Sequence, residues 1–425
     1  MRLQITWFGL LITTASLCAQ AEPWEFDEPI AVTTGSNEKT FHHLESSGRH
    51  NIAVSADTVA VAWEDDRDGT PRIYLARKHR NARAFGADIK ISGNGEAYEP
   101  SLVALDNNRF ALAWEEDARI HLRLVTPTEL GPVVVLGESE GEAMQASLAR
   151  RGNQLSLVYS RRDGRFGRIW MQDIKMDGLT LHPTPGCAVD AEPAKDEQLY
   201  PSIVSLADHT LVAWEDRRPG HTVIMAAQSS DRDSCHFSSP QRINKRASHR
   251  DKNSSDRSNA YGKGFGAARV ALAEYGVGQV IAVWADKRNF REGYDIYSAR
   301  YQPGNTLLFA PNVKAQDSFG GVAQQWHATV AGDASGRLVV GWDDKRDGDA
   351  NIMLSWLEDG DWSDDVAVPG ADGAGEQNHP TLTLDRQGNL HLAWVERTTV
   401  NGPTRLRYLF GRAIGHAANN GETEK

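Results

Sequence analysis

From residue 22 onward apolar and polar positions alternate with a period of two over short runs. Turns rich in Gly, Asn and Asp separate the runs, and no stretch sustains a 3.6-residue period. Each run reads as a half-buried strand, so the chain is predicted to be all-β. The runs recur as one unit: a polar lead-in, a strand, a turn, a second strand ending in an aromatic residue, an acidic–basic turn and a third strand. The second strands end at Val61-Ala62-Trp63-Glu64-Asp65-Asp66-Arg67, Leu112-Ala113-Trp114-Glu115-Glu116, Leu157-Val158-Tyr159-Ser160-Arg161, Val212-Ala213-Trp214-Glu215-Asp216-Arg217-Arg218, Ala282-Val283-Trp284-Ala285-Asp286-Lys287-Arg288, Val340-Gly341-Trp342-Asp343-Asp344-Lys345-Arg346 and Leu392-Ala393-Trp394-Val395-Glu396-Arg397. Successive aromatics lie 51, 45, 55, 70, 58 and 52 residues apart, the size of a four-stranded propeller blade.

Third strands follow, as at Arg72-Ile73-Tyr74-Leu75-Ala76, Thr222 to Ala226 and Asp295 to Ala299, and a fourth is exemplified by Phe237 to Ile243. The last repeat stops after its third strand, Leu406 to Phe410, while residues 24–34 repeat the Phe-x-x-Pro-x-x-Ile form of a fourth strand. The expected fold is therefore a seven-bladed β-propeller of four-stranded antiparallel blades, closed by the N-terminal strand so that no sheet edge is left open. Residues 22–415 form this single domain, and 416–425 read as a flexible tail.

Composition changes the picture mainly through the first 21 residues. Arg2, the apolar run Ile5 to Ile12 and Ala19-Gln20-Ala21 make a secretory signal peptide with a small-x-small cleavage site. The run is too short for a membrane span, and the mature protein is expected in the periplasm or outside the cell. Cys18 near its end raises a lipoprotein alternative, against which stands the bulky Leu17. Removing Arg2 with the leader takes the formal charge from −11 to −12, which disfavours nucleic acid as a partner. Two cysteines remain, Cys187 and Cys235. One disulfide and two buried thiols both fit them.

These repeats resemble the sialidase-superfamily propellers, including secreted bacterial proteins with BNR or Asp-box repeats. A degenerate Asp-box is legible at Ser229 to Phe237, and Arg49-His50-Asn51-Ile52 stands where that family begins its first inner strand with an arginine motif. The resemblance implies that Arg49 sits at the funnel mouth and grips a carboxylate. The rest of that family's arginine triad and its tyrosine–glutamate pair have no legible counterpart. Arg67 belongs to a Trp-x-Asp-x-Arg pattern shared with blades four, five and six, which points to a structural role.

Residues just before each inner strand should ring the channel mouth: Arg49, Glu99, Gln145, Tyr200, Ala267, His327 and His379, preceded by Gly48, Tyr98, Met144, Leu199, Gly266, Trp326 and Asn378. Repeats reproduce what the fold needs, so the positions where copies differ are the candidates for function. Tyr98 and Trp326 offer flat faces for sugars, and Tyr200, His327 and His379 offer groups for proton transfer. Glu99 is the single mouth carboxylate that this register places. Tyr200, His379 and Glu99 are accordingly the catalytic candidates. His42 and His43 either reach the same face or belong to the lead-in.

The longest interval holds a basic inter-blade loop, 244–266, with Lys245, Arg246, Arg250, Lys252, Arg257 and Lys263 against Asp251 and Asp256. It reads either as a lid for an anionic ligand, with Lys263 as a ligand contact, or as a polar insertion. Asp65, Asp216, Asp286 and Asp344 are hard donors for a structural calcium, but each has Arg or Lys within two residues, which favours salt-bridged turns. No cofactor motif or metal-ligand spacing is present in the sequence. The expected function is binding of an anionic glycan or other small acidic ligand, with glycosidase or lyase action on it. A non-catalytic scaffold for an envelope protein is the alternative.

Overall fold

The computed structural model describes residues 22–414 except 36–38, 45–47, 137–140, 219, 230–234, 245–265, 289–292, 305–307, 318–320 and 400. The leader, the tail, most of the basic loop including Lys263, and much of the degenerate Asp-box lie outside the described residues. The protein is all-β, with seven antiparallel blades in a ring. No helix of the described residues is long and apolar enough to cross a membrane.

Each blade is a meander whose first strand lies innermost. Blade two shows the pattern with Ala97–Ala104, Phe110–Glu116, Arg119–Val125 and Val134–Leu136. The fourth strands are shorter than the sequence implies, as where Phe237 to Ile243 contributes only Gln241–Arg242 and one bridge from Phe237 to Ser229. Ring closure is as expected: Trp24–Phe26 and Ile30–Ala31 both pair with Thr404–Ala413, the third strand of blade seven. Trp24 is buried there, donates from Nε1 to the Gly388 carbonyl at 2.9 Å and meets Trp356 edge-on at 6.1 Å.

The core lies between blades. Trp63, Trp114, Trp214, Trp284, Trp342 and Trp394 are wholly buried, and Trp63 packs with Ala393, Leu406 and Tyr408 of blade seven. Each such tryptophan contributes on the order of 5 kcal/mol of transfer free energy. In five of the six the indole N–H finds its acceptor two residues further on, as where Trp63 donates to Asp65 at 2.7 Å and Trp284 to Asp286 at 3.0 Å, whereas that of Trp394 is buried without a hydrogen-bond partner among the described residues. The arginine two beyond that aspartate then ties it to the outer strand. Arg67 bridges Asp65 and Asp88, Arg218 bridges Asp216 and Asp190, and Arg346 bridges Asp344 and Asp365. Arg67 also donates to Thr33 beside the closing strand and Arg346 lies 3.8 Å from Asp317 of blade five, so the repeated Trp-x-Asp-x-Arg ties neighbouring blades as well as strands within a blade, and these carboxylates are spent on it. In blade three Arg161 replaces the aspartate and lies 3.2 Å above the Trp170 ring. A disulfide joins Cys187, on the outer strand of blade three, to Cys235 of blade four.

Candidate functional site

Where each inner strand reaches the mouth, its pairing with the second strand slips by one residue. The slip falls between Tyr98 and Ser101, Met144 and Ser147, Leu199 and Ser202, Ala268 and Ala271, Trp326 and Thr329, and Asn378 and Thr381. The first residue of each bulge is left-handed and none is glycine: Glu99, Gln145, Tyr200, Arg269, His327 and His379, with φ between 49° and 62°. A side chain in this region costs about 1–2 kcal/mol, and bulges re-aim side chains. Six such residues of five types on one ring mark the mouth as the place where the fold carries strain.

The blade-five member of this ring is Arg269, not Ala267. Ala267 lies two residues outward, buried and paired with Asp286. Aligning the bulge with the strand that follows would have found it, since Arg269-Val270-Ala271-Leu272 matches Glu99-Pro100-Ser101-Leu102 and His379-Pro380-Thr381-Leu382.

Blade one departs differently. His42–His43 pairs with Asp65 and Glu64, and Ile52–Ser55 resumes the pairing from Val61. Gly48, at φ 76°, comes so far across the channel that a Cβ on it would lie 2.7 Å from the Val270 carbonyl of blade five and 3.2 Å from Ser202 Cβ of blade four. Ser147 of blade three donates to its carbonyl at 2.7 Å. Arg49 follows into the interior. It is 1% exposed, donates from Nε to the Ala146 carbonyl at 3.0 Å, and pairs through Nη2 with Glu99 at 2.8 Å. The sequence places Arg49 on the rim; the structure puts it beneath, where the blade-one crossing anchors it.

In four blades the residue after the buried aromatic, the x of Trp-x-Asp or Trp-x-Glu, is a carboxylate that supports the bulge of the next blade. Glu64 accepts from the Glu99 amide at 3.3 Å, Glu115 from the Gln145 amide, Glu215 from the Arg269 amide at 2.7 Å and Asp343 from the His379 amide at 3.0 Å. Ser160 stands in this place in blade three, and the Gln145 side chain takes over, accepting from the Tyr200 amide at 2.9 Å. Glu99 is therefore one of several carboxylates at the mouth. The signal for the others was that x varies between blades while the following acid mostly does not.

Around the ring the side chains form two groups. On one side Arg49 pairs with Glu99, and the Glu115 carboxyl lies against that of Glu99. Burial, and after it the Glu99 charge, push the Glu115 carboxyl up to about 8. On the other side the His327 and His379 rings lie 3.9 Å apart, and His43 meets His379 edge-on at 4.9 Å. Asp343 Oδ2 holds His327 Nδ1 at 2.6 Å. His379 is held well below the ordinary histidine range, first by burial and then by His327, His43, Arg269 and Arg397. Its Nδ1 is buried with no hydrogen-bond partner among the described residues. Between the groups the Arg269 guanidinium lies 3.5 Å over the Tyr200 ring, and Arg49 comes within 5.9 Å of the same ring.

Two aromatic candidates are already engaged. Tyr98 donates to Glu96 at 2.8 Å, and burial and then Glu96 push its phenol up to about 12. Trp326 packs on Tyr294 at 4.2 Å. His43 joins the mouth, while His42 is buried against Thr404.

The fold and this ring define the class: a seven-bladed β-propeller with a chemically varied channel mouth. No family model matches the sequence, and no curated protein matches it. Among solved structures, a protein of unknown function from Dyadobacter fermentans aligns over 93% of this chain and 100% of its own, with TM-score 0.55 and 11% identity. An alpha-L-arabinanase from Penicillium chrysogenum aligns over 73% of this chain and 92% of its own, with TM-score 0.48 and 12% identity. Trypanosoma rangeli sialidase aligns over 76% of this chain and 56% of its own, with TM-score 0.45 and 11% identity. At such identities the likeness is one of fold.

Proposed function

We propose that the protein, exported to the periplasm or beyond the cell, binds an anionic glycan in the channel mouth and acts on it by acid–base chemistry. The observation that carries this reading is the Tyr200–Arg269 stack beside the neutral His379, all three on strained bulges at the mouth. A tyrosine face with a guanidinium beside it suits a sugar bearing a carboxylate or sulfate. An imidazole that stays unprotonated at neutral pH is equipped to accept a proton. Arg269 thereby takes the acid-gripping role that the sequence assigns to Arg49.

The test is a thermal-shift screen of the mature protein against sialosides, uronate oligomers, sulfated glycans and neutral controls. One acidic class should raise the melting temperature by several degrees, and Arg269→Ala should abolish the rise. His379→Ala should then lose turnover while keeping the shift. A protein indifferent to every glycan that co-purifies with an envelope protein would replace this reading with that of a scaffold.

A further inference from the structure

Resting on the reading of the mouth as a glycan site that does chemistry, we infer that Glu99 and Glu115, clamped by Arg49, act as one proton donor to the bound sugar. The arrangement is built from three blades. Arg49 reaches Glu99 from blade one with its Nη2 at 2.8 Å, while its Nε is fixed on the Ala146 carbonyl of blade three. Glu99 stands on the left-handed bulge of blade two, its side chain 19% exposed toward the mouth. Glu115 lies behind it on the second strand of the same blade, with Oε1 held by the Gln145 amide.

Two carboxylates side by side, with one guanidinium paired to the outer of them, do not both ionise readily. Arg49 selects Glu99 as the anion, and Glu115 keeps the proton and shares it with Glu99 in a hydrogen bond. The other charged or titratable groups near this corner are Glu64, which accepts from the Glu99 amide, Tyr98, which is engaged by Glu96, and Tyr200, whose ring Arg49 approaches and Arg269 stacks on. Neither Glu64 nor Tyr98 brings a second positive charge, and the Arg269 guanidinium is committed to the Tyr200 face.

The mouth then holds an acid that is protonated at neutral pH and a base, His379, that is not. Such a divergence of environments is what assigns acid and base roles. In hydrolysis of a linkage held there, the glycosidic C–O bond breaks with its electron pair on the oxygen, and that oxygen takes the proton of the Glu99–Glu115 pair. A water oxygen forms the new bond to carbon and gives a proton to His379. Bulk solvent then carries one proton from His379 back to the pair.

The experiment has a readout independent of turnover. Infrared difference titration of the mature protein should show a protonated carboxyl at pH 7 that titrates near pH 8 and vanishes in Glu115→Gln. That variant keeps an oxygen for the Gln145 amide and a donor for Glu99. In Glu99→Gln, which removes the neighbouring charge, the same signal should titrate at lower pH. With the glycan found in the screen, wild-type kcat should fall tenfold per pH unit above about 8. Glu115→Gln should lose at least a hundredfold in kcat and the alkaline limb with it, while still binding. Absence of a protonated carboxyl at pH 7 overturns the inference whatever the mouth binds, and so does an unchanged pH profile in Glu115→Gln. If no glycan binds, the reading of the mouth itself has failed.

Discussion

Replacing Gly48 by alanine tests whether the blade-one crossing fills the channel. At φ 76° a side chain costs about 1–2 kcal/mol. The added methyl would also lie 2.7 Å from the Val270 carbonyl, which is backbone and cannot turn aside, and 3.2 Å from Ser202 Cβ. Forced overpacking of that kind adds about 1–3 kcal/mol, for a sum of roughly 2–5 kcal/mol. An unfolding entropy of about 2.1 cal/mol/K per residue gives a ring of this length roughly 0.8 kcal/mol per degree, so Tm should drop by about 3–6 °C. Gly152 is the control. Its φ is 59°, but nothing lies within 4 Å of the place its methyl would take, so Gly152→Ala should cost only the backbone term, about 1–2 °C. Calorimetry of the two variants beside wild type separates packing from conformation. Equal losses would mean that Gly48 is not pressed against blades four and five, and the account of why Arg49 is buried would fall with it.

Deleting residues 22–34 removes the buried Trp24 and Val32, the partly buried Phe26 and Ile30, and both pairings to Thr404–Ala413; at roughly 10 kcal/mol the melting temperature should fall by about 12 °C. An unchanged melting curve would refute closure by this strand. Reducing or replacing the Cys187–Cys235 pair, 48 residues apart, should cost about 4 kcal/mol, read as a drop of about 5 °C under reductant that the double serine variant no longer shows. For pH, burial holds His379 below its unfolded value near 6.5, so it contributes stability above that pH which is lost as pH falls; His379→Asn should flatten the decline of Tm between about pH 7 and 5. Glu115 has the opposite sign. Its contribution is full below about pH 4.5 and is lost as pH rises toward 8, so Glu115→Gln should flatten the alkaline side, and an equal slope in the variant would count against its being protonated.

The architecture was legible because every blade buries an aromatic at the same place, six times a tryptophan, and in five of these the acid two residues on accepts from the indole N–H, so Trp-x-Asp or Trp-x-Glu recurs at blade-sized intervals. Closure was legible for a related reason: a three-stranded last repeat and a spare N-terminal strand complement each other. The mouth was read less well, at the points where blades depart from one register. Gly266 drew the count in blade five two residues outward, and the bulge at Arg269 shows only when the following strand is aligned. In blade one Gly48 and Arg49 lie across the channel, a placement that contacts with blades three, four and five determine and local pattern does not. Glu64, Glu115, Glu215 and Asp343 went unread because their work is to support a neighbouring blade, a relation that alternation within one strand does not reveal.

The central claim is that the channel mouth, with Tyr200, Arg269 and the histidine group, is the binding surface for an anionic glycan. A crystal structure with the acidic oligosaccharide that stabilises the protein most tests it directly. The account predicts a sugar ring on the Tyr200 side of the mouth, its acidic group paired with Arg269, and its linkage between His379 and Glu99. An oligosaccharide seated on the opposite face of the ring, or on the outer strands with the mouth untouched, would contradict it.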